Sequence, residues 1–268
     1  MSKTIFLTSS LDLSREDENG IKRAHKFTDK NHIQDNFKKH IKKYDNFLYI
    51  ASIEDDFQNN DEHFERAKQS FNMTIPFKNY FLLDGRTKEK AKKFINMADF
   101  IFLCGGHVPT QNKFFAKIKL DELLKNYNGV ICGSSAGSMN SAKVVYSAPE
   151  LDGEAIDPNY KRYLSGLGLT TINIIPHFDD IKNTSLDGKH VLNDILLPDS
   201  FKNEIYAYSD GTYIMLNDNI ATVFGEAYLI KNGKIKKLCK RKKKLNIKKR
   251  DDLNWQSNIK WVNMWANI

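Results

Sequence analysis

Long apolar runs are missing from this chain of 268 residues. No stretch approaches the roughly 20 consecutive apolar residues that a membrane-crossing helix needs, so no membrane-embedded role is expected. Cysteine is scarce, at three residues. Cys104, Cys132 and Cys239 are odd in number and lack metal-ligand spacing, so they form neither a disulfide framework nor a metal site. A reducing cytoplasm is the expected setting, and Met1–Thr8 reads as a first strand rather than a signal peptide. Three further absences narrow the chemistry. Without His-Glu-x-x-His a zinc hydrolase is not expected, and without Gly-x-Gly-x-x-Gly or Gly-Lys-Ser/Thr a phosphate-cradling nucleotide loop is not expected either. The sequence calls for no cofactor and no metal.

Acidic residues are missing from one segment. Residues 231–250 carry 12 Lys or Arg and no Asp or Glu, which leaves 29 basic against 33 acidic residues elsewhere, a net of −4. The formal net charge of +8 is therefore local to that segment. Lys240-Arg241-Lys242-Lys243-Lys244 is a candidate polyanion strip. No aromatic side chains interleave the run, so a solvated edge strand whose lysines oppose edge-to-edge pairing is the better reading. Nucleic acid is not an expected partner.

What is present is a β-α rhythm. Strands are expected at Lys3–Thr8, Phe47–Ile53, Tyr80–Leu83, Phe100–Cys104 and Gly129–Cys132. Helices are expected at His32–Tyr44, Glu62–Met73, Lys88–Met97 and Pro109–Tyr127, the last opened by proline in its first turn. Leu11–Asn31 reads as a long polar loop or a short irregular insertion. After a helix starting at Ala136 come a loop near Pro149–Pro158, a strand at Thr171–Pro176 and a helix at Ser185–Leu196. Ile205–Leu238 then shows short β-rich runs broken by Asp210-Gly211, Asn217-Asp218-Asn219 and Asn232-Gly233, a hairpin signature. A tail with Trp255, Trp261 and Trp265 suggests aromatic packing. The expected fold class is α/β: one domain over 1–268, with a doubly wound, largely parallel sheet (flavodoxin-like) and a C-terminal β-hairpin region.

The most specific pattern is Gly133-Ser134-Ser135-Ala136-Gly137, directly after the apolar run Gly129–Cys132. It is the Gly-x-Ser-x-Gly of a nucleophile elbow. Such a tight strand-to-helix turn needs small neighbours, lifts Ser135 to the carboxyl end of the sheet and turns the Ala136 amide towards an oxyanion. A serine hydroxyl needs a base. His177 ends the strand Ile172–Pro176 and is expected at the same sheet edge as Ser135; His107, after Gly105-Gly106, is the runner-up. For the acid that orients the base, Asp210 follows the strand Ile205–Tyr208. Glu150 and Asp152 remain alternatives, whereas Asp179 and Asp180 lie close to His177 along the chain. Cys104-Gly105-Gly106 is the candidate for the second oxyanion amide.

Together, Gly105-Gly106 after a strand, Gly133-Ser134-Ser135-Ala136-Gly137-Ser138, Pro176-His177-Phe178 and Ser209-Asp210-Gly211-Thr212 resemble the aspartyl dipeptidase (dipeptidase E) and cyanophycinase family of serine peptidases. The resemblance runs from the opening strand to about Gly211 and implies a class I glutamine amidotransferase-like fold. It implies Ser135 as nucleophile, His177 as base, and oxyanion amides from Gly106 and Ala136. Relatives usually carry glutamate as the third member where this chain has Asp210, and often glycine or asparagine where it has His107. The order Ser, His, acid also differs from the Ser, acid, His of α/β-hydrolases. The expectation is a serine peptidase acting on aspartyl-type small peptides, with Arg86 and Arg162 among the candidate partners for an acidic side chain. A homo-oligomer is compatible with the sequence. The competing readings are an esterase and a non-catalytic or nucleic-acid-associated protein on the same fold.

Overall fold

Strand residues alternate between aromatic and aliphatic side chains, and the two sets face opposite sides of one sheet because successive strand residues point in opposite directions. Phe6, Phe47, Tyr49, Phe100 and Phe102 build one core with Phe37 and Phe71. Ile5, Leu7, Leu48, Ile50, Ile101, Leu103 and Ile131 build the other. The computed structural model describes residues 3–217, 220–240 and 243–249. The Trp255, Trp261 and Trp265 tail, Arg241-Lys242 in the basic run and Asp218-Asn219 in one expected turn lie outside the described residues.

Among the described residues, twelve strands form the two larger sheets. They are β1 (Thr4–Thr8), β2 (Asn46–Ile50), β3 (Asn79–Leu83), β4 (Phe100–Leu103), β5 (Val130–Ser134), β6 (Asn173–Ile175), β7 (Ile205–Tyr208), β8 (Tyr213–Asn217), β9 (Ile220–Phe224), β10 (Ala227–Lys231), β11 (Lys234–Cys239) and β12 (Lys244–Lys249). The central sheet runs β12-β9-β8-β1-β5-β4-β2-β3. Its β1, β5, β4, β2 and β3 are mutually parallel, and β8, β9 and β12 extend it in antiparallel fashion. A second sheet, β6-β7-β10-β11, packs its inner residues into the aliphatic core. Helices α1 (Ile33–His40) and α2 (Phe57–Asn72) cover the aromatic face, and α3 (Ala91–Met97), α4 (Val108–Lys117), α5 (Leu120–Leu124) and α6 (Ala136–Met139) bury side chains on the aliphatic side. This is the doubly wound α/β arrangement, with its largest parallel block in the N-terminal half.

Several local elements differ from the sequence reading. The helix expected over Pro109–Tyr127 is two helices, because Lys119 adopts a left-handed backbone (φ 50°) between them. Leu11–Asn31 is not plain loop: Ser14–Glu16 pairs with Lys22–Ala24, and Leu11 and Phe27 anchor the segment in the aromatic core. Ser185–Leu196 is not one helix either. Ser185–Leu186 and Lys189–His190 pair as a tiny hairpin, and a wide helical turn follows over Val191–Leu196. Asp187-Gly188, both with positive φ, makes that reversal.

The hairpin-rich end is split between the sheets. Asn232-Gly233, with positive φ at both positions as a tight two-residue turn requires, joins β10 to β11 in the second sheet. The chain between β7 and β8 crosses from the second sheet to the central one, and the chain between β9 and β10 crosses back. The basic segment supplies an edge strand to each sheet, β11 to one and β12 to the other. Exposed lysines at such edges disfavour pairing with another chain.

The aromatic core carries a simple expectation. Phe71 is fully buried, with its ring centroid 4.7 Å from Phe47, 4.8 Å from Phe27 and 5.5 Å from Phe100. Phe71→Ala should lower unfolding free energy by about 3–5 kcal/mol, read from the urea midpoint with the slope unchanged. A loss under about 1 kcal/mol would mean that the cavity collapses freely.

Candidate active site

The parallel strands end in a row of small residues. Ser9 follows β1, Ser52 lies just beyond β2, Gly105-Gly106 follows β4 and Ser135 follows β5. Register aligns these ends, with Thr8 opposite Ser134, Leu103 opposite Gly133 and Ile50 opposite Leu103. The row lies along the carboxyl edge of an open parallel sheet, where such folds place ligands.

Ser135 turns the chain sharply, with φ 50° and ψ −115°. That strained conformation costs of order 1–3 kcal/mol and is held by neighbours. Its amide donates to the carbonyls of Thr8 (3.1 Å) and Ser9 (3.0 Å), while its own carbonyl accepts from Ser138 and Met139. The flanking glycines are required by close approach. A Cβ on Gly133 would lie 2.6 Å from the Ser138 nitrogen, and one on Gly137 would lie 2.2 Å from the Leu103 carbonyl oxygen.

His177 lies 3.0 Å from Ser135, Nε2 to Oγ. It does not come from the sheet edge that the sequence suggested. Strand β6 belongs to the second sheet, so the imidazole reaches Ser135 across the boundary between the sheets. Asp210 follows β7, which runs parallel to β6, so base and carboxylate emerge from neighbouring strand ends. His177 Nδ1 and Asp210 Oδ1 are 2.8 Å apart. A carboxylate only accepts hydrogen bonds, so Nδ1 carries the proton and Nε2 is left to accept from the Ser135 hydroxyl.

The charges around this pair act in one direction. Burial alone would push the His177 imidazole down, but the hydrogen bond and charge of Asp210, with the charges of Asp180 and Glu150, leave it above its ordinary value. Burial would raise the Asp210 carboxyl, yet hydrogen bonds from His177 and Ser9 hold it below the usual carboxylate range.

A sequence profile of peptidase family S51 matches residues 20–224. The chain belongs to that family. It is thus a serine peptidase of the dipeptidase E and cyanophycinase group. Two solved structures share its fold. A peptidase from an acI-B1 Actinobacterium superposes with TM-score 0.65 at 14% identity, covering 92% of this chain and 98% of the other. A protein assigned as a peptidase E from Listeria monocytogenes EGD-e superposes with TM-score 0.55 at 17% identity, covering 89% and 100%. No curated protein sequence matches the chain.

Other residues singled out from the peptidase's sequence have different surroundings. His107 is engaged on both ring nitrogens, with Thr110 Oγ1 at 2.8 Å and Glu154 Oε1 at 2.9 Å. Glu150 does not bond to His177. Burial among protein atoms, together with the charge of Glu154, pushes its carboxyl up to about 7, although part of its surface is exposed. Arg86 is committed to Asp61 and the fully buried Asp84. Arg162 is committed to Asp199 and lies over the Tyr160 ring.

Sequence reasoning missed the supports. Ser9 Oγ donates to Asp210 Oδ1 (2.5 Å) and accepts from the His177 amide (2.8 Å). Gln111 and Asn140, both fully buried, brace the Gly105-Gly106 loop. Gln111 Nε2 donates to the Cys104 carbonyl (2.8 Å), and Asn140 Nδ2 donates to Gln111 Oε1 (3.0 Å) and the Val108 carbonyl (3.1 Å). The loop with Glu150 and Glu154 is clamped by Asp187, which accepts from the Gly153 and Ala155 amides at 2.8 and 2.9 Å. Gln111 sits four residues after His107 on the helix face towards the loop, which is the one local signal available beforehand.

An NMR titration of the imidazole tests this charge arrangement. The His177 midpoint should lie above the ordinary value of about 6.5. Asp210→Asn should bring it below that value, because burial then acts with less opposition, and Glu150→Gln should lower it by a smaller amount. A wild-type midpoint below about 6.5 would contradict the assignment of charges.

Proposed function

We propose that this peptidase hydrolyses the amide bonds of small peptides, as a dipeptidase or exopeptidase, with Ser135 as nucleophile, His177 as base and Asp210 as the orienting acid. The observation that carries this reading is the unbroken chain of short contacts from Ser135 Oγ through His177 to Asp210 Oδ1. His177 Nε2 takes the Ser135 proton as Oγ attacks the carbonyl, then returns it to the leaving amine. A water activated by the same nitrogen releases the acyl group. Asp210 keeps the proton on Nδ1 and balances the imidazolium that forms.

The amides of Gly106 and Ala136 would receive the oxyanion. Supporting this role, a Cβ on Gly105 would lie 3.4 Å from the Ser135 Cβ, so the glycine loop lies against the nucleophile. Gly106 itself has φ +150°, and a Cβ there would meet Ser52 Oγ at 2.0 Å. Only glycine fits this backbone and this space. Gly106→Ala should therefore cost about 10²–10³ in kcat, the size of one lost oxyanion donor. A variant that folds and keeps wild-type kcat would remove Gly106 from the mechanism.

Family membership suggests aspartyl-type peptides as the first substrates to try. Because Arg86 and Arg162 are paired with carboxylates, a basic partner for an aspartyl side chain has to be sought elsewhere. A panel of dipeptides differing in the N-terminal residue, assayed with wild type and Ser135→Ala, tests the whole reading. Asp-Xaa peptides should be hydrolysed fastest, and Ser135→Ala should lower kcat by about 10⁴-fold or more. Full turnover by Ser135→Ala would reject the nucleophile; preference for another N-terminal residue would reject only the aspartyl specificity.

A further inference from the structure

We propose that Ser9 is a positioning residue of this site, its hydroxyl holding the Asp210 carboxylate in line with His177 while fixing the His177 backbone. The inference rests on the roles given above to Ser135, His177 and Asp210.

Ser9 is fully buried at the end of β1 and touches all three. Its carbonyl accepts from the Ser135 amide (3.0 Å). Its hydroxyl oxygen accepts from the His177 amide (2.8 Å) and donates to Asp210 Oδ1 (2.5 Å). A backbone N–H can only donate, so the one hydroxyl proton is directed to the carboxylate. Asp210 Oδ1 therefore takes two donors, Ser9 Oγ and His177 Nδ1, and two directions fix the carboxylate where one would leave it free to rotate.

Asp210 needs that restraint. Its side chain is 50% exposed, and among the described residues Ser9 and His177 are its side-chain donors. The Lys30 stem packs against Gly211, and its charge acts on Asp210 without a hydrogen bond. Without Ser9, water competes for the oxygen facing Nδ1. His177 needs restraint as well, because its backbone is left-handed (φ 52°, ψ 36°), a region that non-glycine residues adopt at a cost. The bond from its amide to Ser9 holds that conformation and aims the ring. Ser9 touches no reacting atom, so its effect passes through Asp210 and His177.

The test compares kinetics in two backgrounds. Ser9→Ala should lower kcat by about 10- to 100-fold, the effect of removing a hydrogen bond to a charged group, with KM nearly unchanged. The groups facing His177 are Asp210, Asp180 and Glu150. Asp210 alone loses its alignment, so the acid limb of the kcat/KM profile should move to lower pH. Placed on Asp210→Ala, the same substitution should cost clearly less than in the wild type, because only the hold on the His177 amide is left to lose and interacting sites are not additive. Ser9→Thr keeps the hydroxyl and should keep the wild-type acid limb. Wild-type kcat and acid limb in Ser9→Ala, or equal losses in both backgrounds, would overturn the proposal. If Ser9→Ala does not fold, Ser9→Cys, a weaker donor of similar size, decides. An acid limb moved to lower pH supports the proposal, and a wild-type limb overturns it. Loss of the triad reading is distinguishable, because Ser135→Ala would then retain turnover whatever Ser9 does.

Discussion

The site depends on how the second sheet is fastened to the end of β1. The Thr8 and Ser9 carbonyls take the Ser135 amide, Ser138 Oγ donates to the Thr8 carbonyl at 2.9 Å, and Tyr208 of β7 donates to the Leu7 carbonyl at 3.0 Å. The Ser9 hydroxyl then reaches the His177 backbone and Asp210. These bonds lie where the two sheets meet and bring a serine from one sheet to a histidine and a carboxylate from the other. The Tyr208–Leu7 bond is buried and so costly to leave unmade, which specifies the relative position of the sheets there.

Strain at the site has the same origin. Ser135 and His177 both have positive φ without being glycine. Each conformation is fixed by hydrogen bonds to the end of β1 rather than by local preference. The glycines do a different job. Gly133 and Gly137 let a strand and a helix approach within reach of each other's backbone, and Gly106 gives its space to Ser52. Small residues thereby line four adjacent strand ends, along which the proposed nucleophile and oxyanion donors lie.

Much of this was legible in the sequence, for local reasons. The alternation of strands and helices, the elbow at Ser135 and the Pro176-His177 and Asp210-Gly211 strand ends are encoded by neighbouring residues. Sheet membership is not. Asn173–Ile175 is three apolar-flanked residues whose pairing with β7 rather than with β5 depends on residues far along the chain. Ser9 belongs to no recognisable sequence motif, and its proposed role exists only once the end of β1 meets the end of β6. The break at Lys119 carries no glycine or proline to announce it. Arg86 and Arg162 looked available because their carboxylate partners, Asp61, Asp84 and Asp199, are identified only by folding.

The proposed nucleophile, base and oxyanion site around Ser135 is assembled from two sheets. A crystal structure of the protein after reaction with a small serine-directed phosphonylating reagent tests it most directly. A single adduct on Ser135 Oγ is expected, with its phosphonyl oxygen against the Gly106 and Ala136 amides and His177 Nε2 within hydrogen-bond reach. An adduct on another residue, or one on Ser135 whose oxygen points away from both amides, would contradict it.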